Sequence, residues 1–394
     1  LLALLALGCG SETGDTTDAC QAVYPDAGDA TQVLHVAGSC AVELGDGSTA
    51  QPFKTISEAI DAAAPGTTIV VESDTYEENL VITTADLTLL GEVSSDESEM
   101  TGIVLQAPDP SATVRVQDVT GIVLQGIHVV DPTVAGIWVT NGSATITDAS
   151  VTGAMANADG AYGFGVLGTN KAGIVLQRTA VTNSDATGVL LQDGEGPSSV
   201  SDCTLSGNGR GGIRFEKMPD GSTISGNVLQ SNLEVGIGVF SSVGIVLQNN
   251  GVHDTMKGGP TESADGIIVA ELRSAEGESM GPVTVQMGGD AGKADGHLGN
   301  TVTGNERVGV LMSGDVAGIV LQNEASENGR AGIWLQSGAG MGSATGIVLQ
   351  DNTVEDNHFL GISVGAGTRA EVTDNLVSGT RADAPEGASV VIGP

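Results

Sequence analysis

Arg210, Arg214 and Lys217 sit close together in the stretch NGRGGIRFEKMPDG of a chain that is otherwise poor in bases. Its 394 residues carry 14 Lys and Arg against 49 Asp and Glu, a formal net charge of −35. A basic cluster on so acidic a chain is where an anionic sugar would be met. The chemistry would be that of a polysaccharide lyase, which needs Arg or Lys as a base and a cation held by carboxylates to acidify the sugar α-proton. Strand alternation puts Ile213 and Phe215 inward and Arg214 and Glu216 outward. Asp202 and Asp220 are near in sequence. These three bases are the candidate catalytic residues. The competing reading is a surface patch of salt bridges, which contribute little when exposed.

Other chemistry finds less support. Glycoside hydrolysis needs two carboxylates across a cleft, and 49 acidic residues offer no pair that stands out. The five His, at 35, 128, 253, 297 and 358, lack metal-ligand spacing, and the Met residues are scattered. No motif demands a cofactor. Calcium is the cation that clustered carboxylates would hold, but neither Asp26-Ala27-Gly28-Asp29 nor the glycine-rich stretch 288–297 completes a calcium loop. The negative field repels nucleic acid and anionic membranes, so neither is expected as a partner. It would repel acidic polysaccharides as well, unless cations bridge the two.

Four cysteines bear on location. Cys9 ends the apolar run Leu4-Leu5-Ala6-Leu7-Gly8-Cys9, too short to span a bilayer. The run resembles a bacterial lipoprotein signal, which makes 1–8 a truncated leader and Cys9 the lipidated residue. Residues 9–31 are acidic and Gly-rich and read as a flexible linker. Export implies an oxidising compartment, in which Cys20 and Cys40 would pair. Cys203 is then left over as a buried apolar residue. The expected location is the cell envelope of a Gram-negative bacterium, with the lipid as the only membrane contact.

The elements that must position these residues are set by repeats. Aromatics make up 3% of the chain and glycines number 59, so burial has to come from thin layers of Val, Ile, Leu and Ala. One frame reads apolar, two polar, Asn, any residue, apolar, as in Leu349-Gln350-Asp351-Asn352-Thr353-Val354. Counted at the Asn position it recurs at 127, 149, 179, 203, 227, 250, 300, 324, 352 and 375, in steps of 22, 30, 24, 24, 23, 50, 24, 28 and 23. The 50 reads as two turns plus an insertion. A second frame, Gly, Ile or Val, any residue, apolar, follows each turn, as in Gly136-Ile137-Trp138-Val139 and Gly332-Ile333-Trp334-Leu335. Period-two alternation in short runs broken by Gly and Asn predicts strands on one side of a coil. A coil of 22 to 24 residues holds about three such strands at roughly 3.3 Å per residue. Stacked coils put like residues in columns, with Asn at a corner free to stack as an amide ladder.

The pentapeptide Gly-Ile-Val-Leu-Gln recurs unchanged at 102–106, 121–125, 173–177, 244–248, 318–322 and 346–350. Stacking explains identical inward residues but not identical outward ones. Either the exposed Gln side chains form a ladder for a ligand, or short segments were duplicated. Irregular spacing favours duplication, since a ladder needs its members in adjacent coils.

Thr55 to Ala64 has helical spacing of Ile56, Ala59, Ile60 and Ala63, with Thr55 as N-cap and Glu58 completing a capping box. It predicts a helix covering the first coil, with the cap spanning about 50–66. Strands are expected after it at 68–71, 80–82 and 87–90, and one last strand at Val390-Val391-Ile392. The stretch Gln51-Pro52-Phe53-Lys54-Thr55-Ile56, followed by Pro65-Gly66-Thr67-Thr68-Ile69 and Thr75-Tyr76, resembles the opening of right-handed β-helix repeat proteins of the pectin-lyase-like superfamily. The two repeat frames are similar to its periplasmic copper-protein accessory (NosD-like) and carbohydrate-binding repeats. The usual Gly before Thr-Tyr is Asp74 here. The resemblance covers about 32–394 and implies an all-β, right-handed single-stranded parallel β-helix. The fold hosts lyases, hydrolases, epimerases, adhesins and inert scaffolds. The scarcity of bases and the acidic field favour a monomeric, non-catalytic surface scaffold, adhesin or glycan binder. The alternative is a polysaccharide lyase or glycoside hydrolase acting on an envelope or environmental polysaccharide.

Overall fold

The structure is a computed structural model that describes residues 22–39, 45–93, 102–258, 261–289, 298–342 and 345–380, with the backbone of 388–392. Cys9, Cys20 and Cys40 lie outside the described residues, as does most of the linker. Three parallel sheets form the body. Sheet A has 13 strands, from Val33–Val36 to Ala370–Thr373. Sheet B has 12, from Asp74–Tyr76 to Leu376–Ser378, and sheet C has 12, from Leu80–Ile82 to Ala388–Ile392. The chain visits A, B and C in rotation, and each strand pairs with its equivalents one coil away. This is the parallel β-helix that the repeats predict.

Alternation drives it. In Gly173–Gln177, Ile174 and Leu176 are buried while Val175 between them is exposed. Parallel register turns the inward residues into columns: Val151, Val181, Leu205, Leu229 and Val252 stack in successive coils of sheet B and are fully buried. Each such side chain contributes about 1.5–3 kcal/mol by leaving water. The core is almost entirely aliphatic, with Phe215 its largest fully buried member. The helix Ile56–Ala62 forms as predicted, with Thr55 and Glu58 making both halves of the capping box. Its buried face, Ile56, Ala59 and Ile60, covers the first coil. The carboxylate of Glu78 accepts the backbone N–H groups of Ile56 and Ser57 at 2.8 and 2.9 Å.

The corner between sheets A and B carries the amide ladder. Cys203, Asn227, Asn250, Asn300, Asn323, Asn352 and Asn375 follow one another, each donating its backbone N–H to the next Asn Oδ1. Asn300 Nδ2 also donates to Asn323 Oδ1 at 2.8 Å and to the Leu247 carbonyl at 3.0 Å. The rung is therefore Asn323 and not the expected residue 324, because an amide is needed there and Glu324 points outward on sheet B. The expected pair of turns between 250 and 300 is also corrected. Asn250 Nδ2 meets Asn300 Oδ1 directly at 2.8 Å, and Gly251–His253 pairs with Thr301–Thr303. The interval is a single coil with enlarged corners.

A second ladder, five residues on, occupies the corner between sheets B and C in two runs: Ser184, Asn208 and Asn232, then Thr255, Asn305, Asn328 and Asn357. It adds to the crowding that favours Gly in the second repeat frame, where a Val side chain and the next coil's Gly carbonyl also approach. A Cβ on Gly309 would lie 2.7 Å from Asn328 Nδ2, and one on Gly332 would lie 2.7 Å from Asn357 Nδ2. Glycine and amide are thus two halves of one joint between adjacent coils.

Cys203 is free and buried, as expected. It takes a rung position in the first ladder, with Sγ 3.1 Å from the Ser201 carbonyl. Burial pushes its thiol up to about 11.

The pentapeptide copies take three settings. Four lie in sheet A with Ile and Leu inward. The copy at 102–106 supplies a sheet B strand. The copy at 318–322 lies in sheet A one residue out of phase, with Val320 fully buried and Ile319 outward. Gln125, Gln177 and Gln248 are separated by Thr147, Ser201 and Ser225. Gln350 pairs with Leu321. No two of these sheet A glutamines are register neighbours, so they form no ladder.

Candidate functional site

Sheet C turns a side chain outward at every second position, and its register aligns them along the solenoid axis. One outer column runs through Arg115, Trp138, Leu167, Leu190 and Arg214, then Gly238, Ile268, Leu311 and Trp334. Leu167 and Leu190 face outward yet are only 3% and 9% exposed, because Trp138, Phe164 and Val134 pack over them. A second external cluster joins Leu311, Val308 and Ala331 to Trp334, Ile268 and Leu360.

Aromatic rings gather here. Trp138 and Tyr162 have ring centroids 6.3 Å apart, and Tyr162 and Phe164 6.5 Å apart. Tyr162 is 43% exposed and holds φ at 69°. That left-handed conformation costs an aromatic residue about 1–3 kcal/mol and persists only where the surroundings fix it. Arginines stack on the rings: Arg115 lies 4.9 Å from the Trp138 centroid, Arg214 4.5 Å from that of Phe240, and Arg330 4.3 Å from that of Trp334. A guanidinium over a ring keeps its in-plane N–H donors available.

The three candidate bases are spread across this face. Arg210 is exposed at the leading edge of the strand Gly211–Glu216. Arg214 points outward from its middle, pairs with Glu216 and covers Phe240. Lys217 lies just past the far end and pairs with Asp193 Oδ1 at 3.3 Å. An extended strand separates the outer two by roughly 20 Å. Asp202 belongs to the corner between A and B, against Gly226. Asp220 belongs to the corner between C and A, against Gly244. The structure brings neither carboxylate to Arg214. Among the described residues no group of three or more His, Cys, Asp or Glu is arranged to hold a metal ion. Among them too, no helix is long and apolar enough to cross a membrane.

Sequence reasoning passed over the aromatic face. Its signal lay in the second frame, at the position treated as any residue: Trp138, Arg214 and Trp334 all occupy it.

Three parallel sheets wound into a tube define a parallel β-helix solenoid. The chain belongs to the right-handed β-helix region family, whose model matches residues 112–271 and 297–391, more than half of its length. The right-handed parallel β-helix of the pectin-lyase-like type that the resemblance implies is therefore the fold of this chain. A search of curated proteins finds no match. Among solved structures, the A-module of the mannuronan C-5 epimerase AlgE4 of Azotobacter vinelandii is 16% identical with a TM-score of 0.54. The match covers 86% of this chain and 93% of that one. The Dettilon tailspike protein is also 16% identical, with a TM-score of 0.56, over 91% of this chain and 68% of that one. At this identity the likeness establishes the fold.

Proposed function

We propose that the protein is a non-catalytic glycan-binding scaffold of the cell surface that holds a polysaccharide on the outer face of sheet C. A lipid on Cys9 would tether it. The observation that carries the reading is how scarce residue types are distributed. Of the ten aromatic residues (Phe 5, Tyr 3, Trp 2), six lie on or beside this face (Trp138, Tyr162, Phe164, Phe240, Trp334 and Phe359), and so do six of the 14 basic residues (Arg115, Arg210, Arg214, Lys217, Arg307 and Arg330). The aliphatic core has little use for rings, so their placement outside calls for another explanation. A pyranose presents a C–H face to the negative face of an aromatic ring, and its hydroxyls and carboxylates accept hydrogen bonds from guanidinium. The same arginines bring positive charge to a chain that is otherwise strongly acidic.

Lyase chemistry is less well served, since Arg214 and Lys217 already have carboxylate partners. The fold is shared with an epimerase named for mannuronan, which agrees with a polysaccharide partner.

The test is retention of polymannuronate, polygalacturonate and neutral pullulan by the purified protein, with new reducing and unsaturated ends measured in parallel. Binding of at least one polymer is expected, weakened about 30-fold in Trp138→Ala, the size of a hot-spot aromatic of about 2 kcal/mol. Turnover that disappears in Arg214→Ala would instead make the protein an enzyme.

A further inference from the structure

Sheet C carries a similar set of residue types twice. At Trp138, an indole from one coil is stacked by an arginine, Arg115. The next coil adds an exposed aromatic from the corner leading into sheet C, Tyr162, and a bulky apolar residue at the start of its strand, Phe164. At Trp334 the indole is stacked by Arg330, and the next coil adds exposed Phe359 from the same corner and Leu360 at its strand's start. Phe164 and Leu360 pack on their respective external clusters. The arginines come from different places in the coil, and the equivalent aromatics from corners of different length. The likeness is therefore one of surface chemistry and not of a copied segment.

The two indoles occupy one outer column, seven register steps apart. At 4.7–4.9 Å per step, that places them about 34 Å apart. Between them the face offers one further stacked pair, Arg214 of the column on Phe240 beside it.

Resting on the glycan reading, we infer that Trp138 and Trp334 mark two separate saccharide subsites that one linear anionic polymer occupies together, its chain running along the solenoid axis. The occupant is anionic because each subsite brings a guanidinium to a surface that is otherwise strongly acidic. It is long because a fragment of a few sugars cannot span 34 Å. A rigid solenoid fixes the separation in advance, so occupying one subsite raises the effective concentration of polymer at the other.

The experiment is calorimetric titration of the full chain with tetramannuronate and with long polymannuronate, or with the corresponding galacturonates where that polymer is the one retained above. Tetrasaccharide should bind with two sites per protein, falling to one in Trp138→Ala and one in Trp334→Ala, the surviving site keeping its Kd. Long polymer should bind at least about 100-fold tighter than tetrasaccharide, and either substitution alone should remove most of that gain. Circular dichroism and thermal unfolding of each variant confirm that the solenoid is intact. One tetrasaccharide site, lost in Trp138→Ala and untouched in Trp334→Ala, would overturn the two-subsite inference and leave glycan binding standing. Failure of every polymer and fragment to bind would remove the glycan reading itself.

Discussion

At the corner between sheets A and B, the early coils place Ile127 and Ala149, both buried, and the later coils place Asn227, Asn250, Asn300, Asn323 and Asn352. Position and backbone turn are the same; Asp148 and Asp351, each just before its corner residue, hold φ near 52° and 53°. An apolar corner is filled by its own coil. An amide corner is completed only by the coil that follows, whose Oδ1 takes both the backbone and side-chain donors of the rung before. At this corner the N-terminal coils thus depend on apolar packing alone, whereas the C-terminal coils share a hydrogen-bonded network where each loss strands two neighbours.

That contrast predicts unequal sensitivity. The largest effect is expected from Asn300→Leu, which imposes the apolar solution on the amide half. Asn250 loses the acceptor of its N–H and one of its Nδ2 bonds, and the Leu247 carbonyl loses a donor. Buried groups left unpaired cost about 1–3 kcal/mol each, so a loss of roughly 3–5 kcal/mol should appear as a lower denaturant midpoint. A loss below 1 kcal/mol would mean that the ladder is decorative.

Cys203 stands at the boundary, a thiol in an amide position. Cys203→Asn should extend the ladder by one rung and be neutral or stabilising by about 1 kcal/mol. It should also change the alkaline response. Burial raises the folded thiol to about 11, against 9.0 unperturbed, so its contribution is complete below pH 9 and falls as pH rises toward 11. The native chain should lose roughly 2–3 kcal/mol over that window from this group. Denaturant midpoints of Cys203→Asn that still fall by that much between pH 9 and 11 would assign the loss to other groups.

The smallest effect belongs to Val175→Thr, on the exposed face of a pentapeptide between Thr145 and Ser199. A change within about 0.5 kcal/mol is expected. A larger loss would show that the recurrent outward Val has a structural role.

Much of the fold was readable because a solenoid repeats its physics. The capping box at Thr55 and Glu58, the strand at 68–71 and the eight Gly-Ile/Val strands all rest on local patterns that recur. The second ladder was equally visible, as Asn five residues after Asn at 227, 300, 323 and 352, yet one Asn series sufficed to set the period and the other was passed over. Loop size was not readable. The coil from 250 to 300 keeps one strand per sheet however long its corners grow, and chain length alone does not separate a large corner from an extra turn. The aromatic face was passed over for a related reason. Arg210, Arg214 and Lys217 are close along the chain, whereas Arg115, Trp138 and Trp334 become aligned only through register across many coils.

The out-of-phase pentapeptide at 318–322 has a consequence for how the chain reaches this state. In its sheet A relatives the corner residue comes two positions after Gln; here Asn323 comes one position after Gln322, and the strand has slid to seat the amide. A segment apolar on both faces does not by itself choose which face goes in, and with six identical copies it does not identify its own coil either. The amide supplies the missing address. A nascent solenoid stripped of Asn323 should close on that segment in two phases of similar energy, and refold as a mixture that sorts itself slowly.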